Sequence, residues 1–224
     1  MNRKQFCIDC VSDLHGYEPI VKGAQFLVIG GDHTANDNSK NIDKFCKWVE
    51  KAAANYDHVI YIGGNHDEQL YRAYKDGYPH LKSVKNVHYL KDAAIELEGV
   101  KFYGSPWSPH FEGINPQCTA FVLNDDKLKA KWKKIPADTE VLITHTPPYG
   151  ILDTSKKGIH CGSYSLNRRL LDGVDRKEKI NPAIHIFGHI HEEGNSDMAI
   201  GFTRYVNCSF VDEHYRKRDG FAYL

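Results

Sequence analysis

The chain has 224 residues, 41% of them hydrophobic and 12% aromatic, enough for a sizeable core in one domain over 1–224. Lys and Arg number 29 and Asp and Glu 29, a balance that argues against gripping long nucleic acid through a basic excess. No stretch approaches the ~20 apolar residues of a membrane span, and Met1-Asn2-Arg3-Lys4-Gln5 leads straight into a short strand, so a cytoplasmic protein without a secretory leader is expected.

The first strand is predicted at Phe6 to Val11. It carries Cys7 and Cys10, which face opposite sides of a strand and read as two small core residues rather than a redox or zinc pair. Asp13-Leu14-His15 follows it. The second strand, Phe26 to Ile29, runs into Gly30-Gly31-Asp32-His33. Asn41 to Ala54 places Ile42, Phe45, Cys46, Val49 and Ala53 on one face and predicts an amphipathic helix. A strand at Val59 to Ile62 precedes Gly64-Asn65-His66-Asp67. Val87 to Leu90, Ala94 to Leu97 and Val100 to Tyr103 read as further strands. Gly104 to Cys118, with Trp107 and Phe111 but no clear period, is a loop over or beside the site. Ala120 to Lys134 is a weaker helix, in which Lys127, Lys129, Lys131, Lys133 and Lys134 surround Trp132. Val141 to Thr144 is a strand ending in His145, and a loop from Pro147 to Gly162 follows. Ser165 to Asp172 predicts a helix with Ser163 or Ser165 as its N-cap. The last strands are Ala183 to Phe187, leading into Gly188-His189-Ile190-His191, and Thr203 to Asn207. Short runs apolar on both faces, alternating with helices early and clustered later, predict two sheets with helices outside.

Five of these strands end in Asp, Asn or His, where layered α/β proteins present side chains to a ligand. Any one island has an ordinary explanation: a lone Asp caps a helix or turns the chain, and a lone His is a satisfied polar residue. Five in one order do not. Asp13 and His15, and again His189 and His191, are spaced to share a side of extended backbone. Asp13, His15, Asp32, Asn65, His145, His189 and His191 together supply two incomplete shells that share one carboxylate, leaving room for water and substrate. Mixed nitrogen and oxygen donors without thiolate argue against a structural zinc knot. So much imidazole disfavours a calcium or magnesium cage. His66 lies off the ligand direction and reaches the substrate where its loop curls, as a general acid. Asp67 is expected to cap the next helix rather than orient His66, and His33 to face solvent rather than touch substrate.

These islands resemble the pattern of the calcineurin-like metallophosphoesterase superfamily, D-x-H, G-D, G-N-H-[DE], H and G-H-x-H. Further stretches are similar to its small metallophosphoesterase-domain-containing branch: Gly104-Ser105-Pro106-Trp107, His145-Thr146-Pro147-Pro148, Phe187 to Glu192 and Tyr205-Val206-Asn207-Cys208-Ser209. The resemblance implies a four-layer α/β/β/α sandwich of two mixed sheets. It implies two divalent cations, one held by Asp13, His15, Asp32 and His191 and the other by Asp32, Asn65, His145 and His189. Manganese is the expected ion, with iron, zinc, nickel or cobalt compatible. It also implies His66 beside the leaving group and a small-molecule phosphoester as substrate, in this branch a cyclic nucleotide, often 2′,3′-cyclic. The protein phosphatases of the superfamily carry Arg soon after G-D and G-N-H-E; here Asp32 is followed by His33-Thr34-Ala35-Asn36-Asp37, which disfavours that activity.

The leading expectation is therefore a metal-dependent phosphodiesterase in which a metal-bridging hydroxide attacks phosphorus, Asp32 and His66 being the catalytic residues. Trp107, Phe111 or Tyr149 is available to stack on a base, though loop packing accounts for any one of them. A nuclease or RNA-processing esterase is the alternative, with the lysine cluster tracking a backbone. A scaffold that kept the fold and lost turnover is the third reading, disfavoured because no ligand residue is missing.

Overall fold

The computed structural model describes residues 6–110, 118–172, 179–219 and 222–223. In chain order the elements are β1 (Ile8–Val11), β2 (Phe26–Ile29), α1 (Ser39–Ala53), β3 (His58–Tyr61), α2 (Glu68–Arg72), β4 (Val87–Tyr89), β5 (Ala93–Leu97) and β6 (Val100–Ser105). They continue with β7 (Ser108–Pro109), β8 (Val122–Leu123), α3 (Asp125–Trp132), β9 (Val141–Thr144), α4 (Tyr164–Asn167), β10 (Ile184–Phe187), β11 (Ser196–Ile200), β12 (Thr203–Asn207) and β13 (Ala222–Tyr223).

Two mixed sheets form. The first has the order β13-β1-β2-β3-β4, parallel except for β13. The second has the order β11-β12-β10-β9-β6-β5, with antiparallel strands at both edges. Strand alternation divides the apolar residues between two layers. Ile8, Cys10, Phe26, Val28 and Ile60 from the first sheet meet Phe102, Val141, Ile143, Ile186 and Val206 from the second. Phe26 and Phe102 pack across that interface with ring centroids 4.9 Å apart. The opposite face of the first sheet (Val11, Leu27, Ile29, Val59) lies under α1, through Ile42, Phe45, Cys46 and Val49. Leu142, Phe187 and Tyr205 of the second sheet share that outer apolar cluster with Leu128, Trp132 and Leu166 of α3 and α4. The result is the expected α/β/β/α sandwich.

Local chemistry sets the helix ends. Asn38, Asn124 and Ser163 cap α1, α3 and α4, each side chain accepting from the backbone N–H three residues on. The helix predicted from Ala120 begins only at Asp125, because Asn124 caps it and Phe121 at φ +51° turns the chain into β8. The third helix predicted, from Ser165, begins one residue earlier behind Ser163 and continues as π-type turns over Arg168–Asp172. Edge strands β11 and β13 and the short β7–β8 pair escape the pattern because they are brief or half exposed. Cys7 is exposed, so only Cys10 of the pair belongs to the core. Among the described residues, no helix is long and apolar enough to cross a membrane.

The sheets are joined where their parallel strands end. Beyond β1 and β12 the chain continues in a parallel bridge between Ser12 and Ser209. Ser12 N donates to the Cys208 carbonyl at 2.9 Å, and Phe210 N to the Ser12 carbonyl at 2.8 Å. The five predicted islands open around this seam.

Candidate metal centre

The islands are not extended. Asp13 (φ +53°), His15 (φ +41°), Asp32 (φ +53°) and His189 (φ +69°) all adopt left-handed backbone, which costs of order 1–3 kcal/mol at each non-glycine position. The alternation argued from extended spacing therefore does not hold. The loops curl, and curling turns the side chains inward. Strain clustered at four such residues marks a place the surrounding fold over-determines. Two glycines leave the space: a Cβ on Gly64 would strike the Asp32 carboxylate, and one on Gly188 that of Asp13.

The seven residues expected from the sequence converge, and His66 joins them. Donor atoms of Asp13, His15 and His191 lie within 4.8 Å of one another, as do those of Asp13, Asp32 and His145 and those of His15, Asp32 and His66. Asp32 is the hub. Its Oδ1 accepts from His66 N at 2.9 Å, and its Oδ2 faces His145 Nε2 at 3.4 Å, His15 Nε2 at 3.8 Å and His66 Nε2 at 3.9 Å. Asp13 uses Oδ2 to accept from His189 N at 2.9 Å and Ser209 Oγ at 2.8 Å, leaving Oδ1 3.3 Å from His191 Nε2. His145 Nδ1–H donates to the Gly30 carbonyl at 2.9 Å, which aims Nε2 at Asn65 Oδ1, also 2.9 Å away. The His189 ring lies 4.9 Å from that of His145. Asn207 holds the His189-Ile190-His191 turn, its amide donating to the Ile190 carbonyl at 2.9 Å.

The charge state suits a cation. Burial pushes the Asp32 carboxyl up, and the His145 and His66 imidazoles outweigh it, leaving the group well below its ordinary range. Burial also opposes ionisation of Asp13, but the His191 imidazole, 3.3 Å from Oδ1, holds its carboxyl low. Desolvation drives His15 down to about 4 and His189 to about 3, so both are neutral donors at neutral pH. His145 moves the other way: burial lowers it, and the Asp32 charge lifts it to about 9. Of the twelve buried side-chain polar atoms without a hydrogen-bond partner among the described residues, two, Asp13 Oδ1 and His15 Nε2, belong to this ring. Buried polar atoms are nearly always paired. An orphan carboxylate oxygen and an orphan imidazole nitrogen, in one ring of Asp and His, fit a divalent ion of borderline softness.

Several expectations are revised. Asp67 stands before α2 but makes no side-chain cap there. Its carboxylate accepts from Asp32 N (2.9 Å), His33 N (3.0 Å) and Gly64 N (2.8 Å), clamping two site loops together. Burial, then the Asp32 charge, raise Asp67 to about 7. His33 neither faces solvent nor lines the centre; it is buried against Phe45, with Nδ1 3.2 Å from Tyr78 Oη. Trp107 is core: its indole N–H donates to Asp92 and Lys131 sits 3.7 Å over its ring. Trp132 is buried and donates to Ser163 Oγ at 3.0 Å, so with Lys131 turned inward the lysine run does not form one outward stripe. Tyr149 is exposed, its ring 5.0 Å from His160. Phe111 lies outside the described residues. Sequence reading passed over Ser209 as a partner of Asp13, Tyr215 against His15 and His191, and Cys118, whose Sγ is 3.4 Å from His66 Nε2. Ser209 closes the Tyr205 to Ser209 stretch that resembles the branch; Tyr215 and Cys118 carry no sequence signal, since only loop geometry brings them in.

Comparison with known proteins agrees with this geometry. Metallophosphoesterase domain-containing protein 1 of Homo sapiens is 34% identical over 92% of this chain and 67% of its own length. A UPF0046 protein of Caenorhabditis elegans is 33% identical over 89% of this chain and 68% of its own. The crystal structure of TT1561 of Thermus thermophilus shares the fold with a TM-score of 0.61 over 91% of this chain and 89% of that one, at 16% identity. The family model for calcineurin-like phosphoesterases matches residues 8–193. With its Asp and His groups at the strand ends, the chain belongs to the calcineurin-like phosphoesterase family and is a metal-dependent phosphoesterase.

Proposed function

We propose that this phosphoesterase is a di-metal phosphodiesterase acting on a small phosphoester, a cyclic nucleotide and among these the 2′,3′-cyclic kind. The observation that carries the di-metal reading is Asp32, whose carboxylate joins one donor group with His15 and His66 and another with Asp13 and His145, while Asp13 Oδ1 and His15 Nε2 lie buried without hydrogen-bond partners. In this reading Asp13, His15, Asp32 and His191 hold one cation. Asp32, Asn65, His145 and His189 hold the other. Manganese is the expected ion, and iron, zinc, nickel and cobalt suit the same donors. Two cations there would supply an activated water and positive charge for the phosphoryl oxygens.

The chain's own residues do the rest. Asp32 keeps negative charge between the two donor sets, and its Oδ1 fixes the His66 backbone. The His66 side chain is partly exposed, 3.9 Å from Asp32 Oδ2. From there it delivers a proton to the leaving alkoxide oxygen as the P–O bond breaks. We also infer a reduced, cytoplasmic setting, supported by six free cysteines.

Protein stripped by chelator and reloaded with manganese is expected to cleave bis-p-nitrophenyl phosphate and to stop when chelator returns. Turnover that survives metal stripping rejects the mechanism. A screen of cyclic nucleotides, mononucleotides and short RNA on the reloaded protein assigns the substrate class.

A further inference from the structure

Tyr215 lies beyond the residues matched by the family model, in a loop after β12. Asp212 builds that loop. Its Oδ1 accepts from the backbone N–H of His214 and of Arg216, both at 2.9 Å, and its Oδ2 from Arg216 Nε at 2.8 Å. Tyr215 N donates to the Asp212 carbonyl at 2.9 Å. A bridge between Val211 and Lys217 closes the base. At the tip Tyr215 takes φ +59°, a conformation bulky residues rarely adopt. The ring turns back toward the centre. It meets His15 edge to face at 4.7 Å and His191 at 5.2 Å. Tyr17, two residues past His15, donates its hydroxyl to the Tyr215 carbonyl at 3.2 Å. Yet Tyr215 is still 43% exposed and Tyr17 38%. Tyr215 lies beside two imidazoles of the centre and keeps part of its surface open to solvent.

We propose that Tyr215 is a specificity-determining residue that stacks on the planar organic group of the substrate, a nucleobase, with Tyr17 beside it. The proposal rests on reading the centre as the place where the phosphoester binds. A base is the planar group a nucleotide carries within reach of its phosphate, and an aromatic face recognises it by stacking rather than by hydrogen bonds. Trp107 is buried and unavailable for this task.

The test compares binding of adenosine 5′-monophosphate and ribose 5-phosphate to the manganese-reloaded protein by calorimetry. Wild-type protein is expected to prefer the nucleotide. Tyr215→Leu should weaken the nucleotide about tenfold and leave ribose phosphate unchanged. Tyr215→Phe, which keeps the ring, should restore the preference. Tyr215→Gly, which relieves the left-handed backbone, should behave like the Leu variant and serves where Leu fails to fold. Metal content by elemental analysis should be equal in all four proteins. Equal affinity of wild-type protein for both ligands, or equal weakening of both by loss of the ring, overturns the proposal. Absence of hydrolysis by wild-type protein would instead count against the catalytic reading, because the binding comparison does not depend on turnover.

Discussion

The surroundings of Asp13 and Asp32 differ although both carboxylates are buried at the ends of adjacent parallel strands. Asp32 is supported from within its own sheet, by His66 N on its Oδ1 and by the Asp67 clamp on its backbone, and its Oδ2 faces three imidazoles. Asp13 is tethered across the seam, its Oδ2 taken by His189 N and Ser209 Oγ of the second sheet. One carboxylate gathers charge; the other aligns two sheets. Removing the first should destroy the centre, and loosening the second should only blur it.

Asp32→Asn makes the largest break. It should lose metal and turnover together, read by elemental analysis and by cleavage of a model diester, and unchanged turnover would remove Asp32 as the shared ligand. His66→Ala comes next. It should keep both metals and slow hydrolysis by ~10²–10⁴-fold, most for poor leaving groups. A uniform loss accompanied by metal release contradicts its role as acid. Asp67→Asn replaces one acceptor oxygen by an amide NH2, which must face at least one of the three backbone donors, and should cost ~10–100-fold in metal affinity or activity. Ser209→Ala, on the Asp13 side, should fall at or below the low end of that range. A larger effect at Ser209 than at Asp67 would reverse the comparison.

The pH dependence sharpens it further. His145 is raised from 6.5 to about 9, so in metal-free protein it carries a proton that a cation must displace. Metal affinity should climb about tenfold per pH unit for that proton and level off above about 9. Calorimetry in buffers of different ionisation enthalpy counts the proton released. The same raised pKa gives metal-free protein a stabilisation that is complete below 6.5 and fades as pH rises through about 9. Its melting temperature should drop over that window while the manganese form changes less.

The sequence was informative wherever a short apolar strand ended in a polar island. Phe26–Ile29, Val141–Thr144 and Thr203–Asn207 appear at the predicted boundaries. The convergence of Asp13, Asp32 and His145 was readable because each follows such a strand. Side-chain direction was not. Extended spacing was the wrong reason for pairing Asp13 with His15, since both are left-handed. His33 and Asp67 were misjudged for a related cause: burial and backbone partners depend on loops 30 or so residues apart in sequence meeting in space, and no local pattern encodes that. Tyr215 was invisible because its importance comes from a turn built by Asp212, not from a motif.

The Ser12–Ser209 bridge has a mechanical consequence. Asp13, Asp32 and Asn65 follow strands of one sheet, whereas His145, His189 and His191 follow strands of the other. Whatever binds among them rivets the two layers together. Ion loading should therefore raise resistance to unfolding of the whole sandwich rather than merely quieten a few loops.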